Sequence, residues 1–252
     1  MYRAFRCRQA NASRFVRTSY NVGPDSTCAT PHGAVARKHG SRMRKKGPSK
    51  AETALLPPFP ALVREQIHVP TTPEEFAAAC AEIKAAGVTG FDTESRPTFK
   101  PGEVSDGPHV VQFAIEGKAF IFQTQHEAGR AGLIELLQSG GVLKAGFGLH
   151  SDHSQIHHKL GVRIAAVLDL DSVFRKDGYS GDMGVRAAIG IVLGQRFHKS
   201  KKVTTSNWAL AELSPQQLLY AANDAYAALM VLRGLQQNRP ELIESCMRPH
   251  GS

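Results

Sequence analysis

This chain has no apolar run approaching the ~20 residues that a bilayer-spanning helix needs, so a membrane span is not expected. Cysteine is scarce as well. Cys7, Cys28, Cys80 and Cys246 are the only four, with no Cys-x-x-Cys spacing and no close pairs. No disulfide framework organises such a chain, and a reduced, cytoplasmic protein is the simplest expectation. Acid is nearly missing from residues 1–50, which hold 12 of the 31 Lys and Arg but only Asp25 of the 22 acidic residues. The pI of about 9.6 therefore comes from that segment, and the remainder carries 19 basic against 21 acidic residues. A global pI then argues nothing about the ligand of the folded part.

The Arg- and Ser-rich leader matches an organellar transit peptide in composition, which would make the location organellar. A disordered basic tail, or an upstream start with Met43 as the working one, fits the same residues. Residues 1–60, ending in LPPFP, are expected to be a tail, 61–238 the domain, and 239–252 a C-terminal tail.

Hydrophobic content of 42% is ordinary for a globular chain. Thr72-Pro73-Glu74-Glu75 combines an N-cap, a first-position proline and a capping-box acid, predicting a helix to about Ala86. GVTGFDTE reads as a strand, HVVQFAI and KAFIFQ as a hairpin closed at Glu116-Gly117, and LIELLQ as part of a helix. VLKAGFG and AAVLDL read as strands on either side of a helix over LHSDHSQIHHKL, with helices again near 183–192 and 214–235. Strands first, then strand and helix alternating, imply an α/β sheet flanked by helices.

Four carboxylates and a tyrosine stand out in this frame. Asp92 and Glu94 are i and i+2 on a strand, so they share a face ~6 to 7 Å apart, with Phe91 and Thr93 turned the other way. Asp152 opens the helix after the VLKAGFG strand, at the carboxyl edge where open α/β sheets place ligands. On that helix Leu149, Ile156 and Leu160 form the expected buried stripe, which Asp152 borders. Ser214-Pro215-Gln216-Gln217 fixes the register of the last long helix, so Tyr220 and Asp224 stack at i and i+4. Leu218, Ala222, Ala225 and Leu229 take the opposite face and are expected in the core. Four acids crowd together stably only with a cation, and oxygen-only ligands favour Mg²⁺ or Mn²⁺.

With these motifs the sequence resembles the DEDD family of 3′→5′ exonucleases, in the tyrosine subclass that contains ribonuclease D and the Werner exonuclease domain. GFDTES is similar to the first motif, Asp152 in GFGLHSD to the second, and Tyr220-x-x-x-Asp224 to the third; Leu219 stands where the histidine subclass has His. The resemblance runs from about 67 to 236 and implies a ribonuclease H-like fold, a mixed sheet flanked by helices. It also implies two metal ions, with Asp92, Glu94 and Asp224 on one and Asp92 and Asp152 on the other. The implied partner is a single-stranded or fraying 3′ end of DNA or RNA; no membrane is expected, and no protein partner is inferred. Ribonuclease D also carries C-terminal helical domains, for which no room is expected after Leu235.

Other signals compete. Asp169-x-Asp171 is a second strand-end acidic pair, in which Asp171 reads as the N-cap of the next helix. His150, His153, His157 and His158 invite zinc, without a cysteine or further histidine at ligand spacing. Gly146-Phe147-Gly148 is a fragment of a dinucleotide fingerprint that lacks its third glycine. Arg196, His198, Lys199, Lys201 and Lys202 form the one dense basic run of the folded part, ahead of Trp208. Lys201, Lys202 and Trp208 are the candidate substrate-binding residues, since basic side chains track a phosphate backbone and aromatic rings stack bases. An inactive nucleic-acid-binding protein and a metal-dependent phosphatase remain the alternatives to an exonuclease.

Overall fold

The structure, a computed structural model, describes residues 44–98, 103 and 105–247. Residues 1–43, which hold most of the basic leader and the Met43 start, lie outside the described residues. In chain order the elements are α1 (Lys50–Ala54), β1 (Ile67–His68), α2 (Pro73–Ala86), β2 (Val88–Glu94), β3 (Val110–Ile115), β4 (Lys118–Gln123), α3 (Glu127–Gln138), β5 (Leu143–Gly146), α4 (His150–Leu160), β6 (Val167–Asp169), α5 (Leu170–Lys176), α6 (Gly184–Leu193), α7 (Lys201–Thr204), α8 (Pro215–Asn238) and α9 (Pro240–Met247). No helix among the described residues is long and apolar enough to cross a membrane.

Local chemistry sets the two long helix starts. Thr72 and Ser214 each accept from the backbone N–H of the third helical residue, and Glu75 and Gln217 reach back to the cap, as their spacing predicts. Gly117 takes φ 69° in the turn between β3 and β4, where an L side chain would be strained. The six strands form one mixed sheet in the order β1-β4-β3-β2-β5-β6, with β2, β5 and β6 parallel and β3 antiparallel to both its neighbours.

Side chains alternate across this sheet. Phe91, Val111, Phe113, Phe120 and Phe122 face α2, α3 and α4, where they bury with Ile83, Leu136, Leu149 and Ile156. Val110, Ala114 and Ile121 face α8 and bury with Leu218, Ala222 and Ala225. Gly90 makes the second layer close. A Cβ there would lie 1.8 Å from the Ala225 carbonyl oxygen, so the absence of a side chain lets α8 rest directly on β2.

Three expectations change. α8 is buried around most of its circumference: α6 packs on Ala227, Ala228 and Val231, Trp208 packs on Tyr220, Asn223 Oδ1 accepts from Leu62 N at 2.7 Å, and Lys199 pairs with Asp224. Residues 50–54 form a capped helix, and Phe59 is buried with its ring 5.7 Å from that of Phe197, so folded structure begins before residue 61. At the other end α9 buries Ile243 against α8 and α5, past the expected boundary at 238. Both segments are too short for periodicity to announce them. Their burial depends on partner surfaces far away in sequence.

Candidate active site

The end of β2 carries Asp92 and Glu94 on the face that α8 covers, and Asp224 sits one residue before the Ala225 contact at Gly90. Tight helix-on-strand packing thus delivers the third acid. Asp92, Glu94 and Asp224 each offer a carboxylate oxygen, all within 4.8 Å of one another.

Asp152 joins from the other side of the sheet edge. It is buried in the first turn of α4, and Thr93 Oγ1 donates to its Oδ1. Thr93 points away from Asp92 and Glu94, as period 2 requires, and for that reason meets α4. Pattern reasoning saw the orientation and missed its use. The loop that starts α4 is latched by Asp169, whose carboxylate accepts from Gly148 N at 3.2 Å and Leu149 N at 3.3 Å. Asp169 is also the N-cap of α5, accepting from Asp171 N at 2.9 Å, so the cap expected at Asp171 belongs two residues earlier. The helix begins at once where β6 ends, which leaves Asp171 inside it. Asp171 is buried instead and accepts from Met183 N at 2.9 Å, holding the start of α6.

The electrostatics are those of a cluster that could hold a cation. Burial, and then the neighbouring charges of Asp224 and Asp152, push the Asp92 carboxyl well above the usual range. Burial, then Asp92 and Asp224, push Glu94 up to about 9. Asp224 is raised by burial, opposed by the ammonium of Lys199. Asp224 Oδ1 is buried with no hydrogen-bond partner, and Oδ2 has the ion pair with Lys199 Nζ at 2.7 Å. An all-oxygen set with an orphaned buried oxygen and mutually repelling charges fits a hard divalent ion such as Mg²⁺ or Mn²⁺. The adjoining cavity, about 530 Å³, is lined by Asp92, Asp224 and Lys199 and extends past Gly148 and His150 to Arg175.

Tyr220 lies one turn before Asp224. Its hydroxyl accepts from Thr204 Oγ1 at 2.9 Å, and burial followed by the Asp224 charge raises its pKa above that of an ordinary phenol. Trp208 is not at the surface as expected. It is fully buried, its ring 5.9 Å from that of Tyr220 and its Nε1 donating to Thr204 O at 3.3 Å, so it backs the tyrosine instead of offering a face to a base. Lys201 and Lys202 are exposed on α7, the element that supplies Thr204.

Two further residues stand next to these acids. Lys199 Nζ lies 5.3 Å from the Tyr220 ring centroid as well as on Asp224. The run HKSKK flagged it as basic, but nothing local separates it from Lys201 and Lys202. Gln112 is the cross-strand partner of Asp92, fully buried, with neither amide atom hydrogen-bonded. A strand that is otherwise apolar gave it no functional signal.

Known proteins provide an independent comparison. A family model described as 3′-5′ exonuclease matches residues 67–238. The mouse bifunctional 3′-5′ exonuclease/ATP-dependent helicase WRN is 30% identical over 150 residues, 59% of this chain and 11% of that protein. A 3′-5′ exonuclease of Arabidopsis thaliana is 30% identical over 141 residues, 55% of this chain and 49% of that protein. The chain thus spans half or less of these relatives. Among solved structures, the Nibbler EXO domain of Aedes aegypti superposes with a TM-score of 0.62 at 22% identity, covering 74% of this chain and 98% of that one. Trypanosoma brucei RNase D gives 0.63 at 22% identity, covering 70% and 67%. These likenesses establish the expected ribonuclease H-like fold, a mixed sheet flanked by helices.

Proposed function

Because the chain belongs to the 3′-5′ exonuclease family, we propose that it is a hydrolase that removes nucleoside 5′-monophosphates one at a time from a single-stranded or fraying 3′ end. The observation that carries this reading is the convergence of Asp92, Glu94 and Asp224 within 4.8 Å beside an open cavity. Asp92, Glu94 and Asp224 would hold one divalent ion, and Asp92 with Asp152 a second. Such a pair, Mg²⁺ or Mn²⁺, would supply positive charge that offsets carboxylate repulsion and stabilises the phosphate in the transition state.

The chain's own residues do the rest. Thr93 fixes the Asp152 carboxylate, and the Asp169 latch fixes the turn that bears it. Tyr220, one turn before Asp224 on α8, would orient the attacking water by hydrogen bonding through its hydroxyl. Lys201 and Lys202, exposed on α7, would meet backbone phosphates of the incoming strand. Trypanosoma brucei RNase D has been crystallised with RNA U12, which supports a nucleic-acid substrate in this fold.

The test is digestion of matched DNA and RNA oligonucleotides, labelled at either end, in Mg²⁺, Mn²⁺ or EDTA. The expected result is a ladder shortening from the 3′ end with release of 5′-monophosphates, abolished by EDTA. Degradation from the 5′ end, full activity in EDTA, or binding without cleavage would overturn the proposal.

A further inference from the structure

We infer that Lys199 is the carboxylate cluster's built-in counter-ion, its ammonium occupying Asp224 while no divalent ion is bound and giving way when one binds. The inference rests on the metal reading of the same site. Lys199 Nζ lies 2.7 Å from Asp224 Oδ2, on a carboxylate whose side chain is only 3% exposed and whose other oxygen has no hydrogen-bond partner. The same ammonium lies over the face of Tyr220, 5.3 Å from its centroid, a favourable cation–π position. Asp224 is one of the three acids whose oxygens converge. An ammonium in contact with Asp224 and a divalent ion on the same carboxylate would repel one another at short range, so the two compete.

The surrounding chain permits the exchange. Lys199 belongs to the irregular connector between α6 and α7, and its side chain is 38% exposed along its length. Rotating it outward breaks no helix or strand hydrogen bond, and a hydrated lysine head is well accommodated in solvent. A purely structural ion pair has the opposite logic, since it would be needed whether or not metal is present.

Mn²⁺ titration by calorimetry without substrate, and thermal melts in EDTA and in saturating Mn²⁺, separate these cases. Lys199→Met should bind Mn²⁺ about tenfold more tightly than wild type at low ionic strength, because the competing charge is gone. The gain should shrink as salt is raised. In EDTA the variant should melt below wild type, and in saturating Mn²⁺ the two should melt together. Lys199→Arg, which keeps the charge, should behave as wild type, and Lys199→Gln repeats the test should the methionine variant fail to fold. Unchanged or weaker Mn²⁺ binding on neutralising Lys199, or an equal loss of melting temperature with and without Mn²⁺, overturns the inference. Asp224→Asn is the control on the underlying reading. If wild type binds no Mn²⁺, or Asp224→Asn binds it as wild type does, the metal assignment fails first and this inference with it.

Discussion

Asp92 shows how a residue can serve function at the expense of stability. It is half-buried beside two other acids and its ionised form is disfavoured by burial, then by Asp224 and Asp152. Asp92→Asn should therefore lower hydrolysis about a thousandfold, equivalent to ~4 kcal/mol of transition-state stabilisation. In EDTA the same variant should melt above wild type, since an amide has no ionised form for burial and the neighbouring acids to penalise. A folded variant that keeps more than about a tenth of the activity would contradict its role, because such a loss corresponds to less than ~1.4 kcal/mol. Tyr220→Phe removes only the hydroxyl that pairs with Thr204, so a milder loss of about a hundredfold is expected with Mn²⁺ affinity unchanged. If Mn²⁺ binding falls along with activity, the tyrosine is holding the metal ligands and not water. The pairings of Asp92 with Glu94 and of Tyr220 with Asp224 were legible, because strand and helix periods set them. Lys199, Thr93 and Gln112 were not, since each acquires its meaning from a contact across strands, helices or loops that no local pattern encodes.

At the level of elements, the site depends on how closely α8 approaches β2. The caps at Thr72 and Ser214 could be read directly, because a capping box is complete within four residues. The approach distance could not, although Gly90 was visible as the glycine in VTGFDTE. Its role appears only with Ala225 stacked on it. In Gly90→Ala the new Cβ would lie 1.8 Å from Ala225 O and 2.8 Å from Ala225 C, so backbone has to move. Overpacking of this kind costs ~1 to 3 kcal/mol. Asp224 would shift with the helix away from Asp92 and Glu94. Activity measured well below the melting temperature should fall by more than the stability loss explains, with weaker Mn²⁺ binding. Full activity in a destabilised Gly90→Ala protein would show that the carboxylates tolerate a looser α8 than argued. The misplacement of Trp208 has a related cause: an aromatic after a basic run looks like a stacking platform until α8 and α7 close over it.

At the scale of the whole molecule, the composition left two basic regions as candidates for contact with nucleic acid, at different places along the chain. Residues 196–202 lead into α7 next to Tyr220, whereas residues 1–42 precede the segment that matches the exonuclease family. Replacing Lys201 and Lys202 with Ala should weaken substrate binding and flatten its salt dependence by up to ~0.7 per lost phosphate contact, leaving turnover at saturation nearly unchanged. Deleting residues 1–42 should leave cleavage close to normal. Deleting residues 1–60 is a different experiment, because Phe59 N donates to Arg196 O at 2.9 Å, Arg196 N to Pro57 O at 2.7 Å, and the Phe59 ring packs on Phe197. These contacts brace the connector that carries Lys199. The longer deletion should therefore lower the melting temperature and reduce activity, although it removes no motif residue. If the 1–42 deletion abolishes cleavage while the double lysine variant is unaffected, the leader is the nucleic-acid contact. If the two deletions behave alike, residues 43–60 do not support the site.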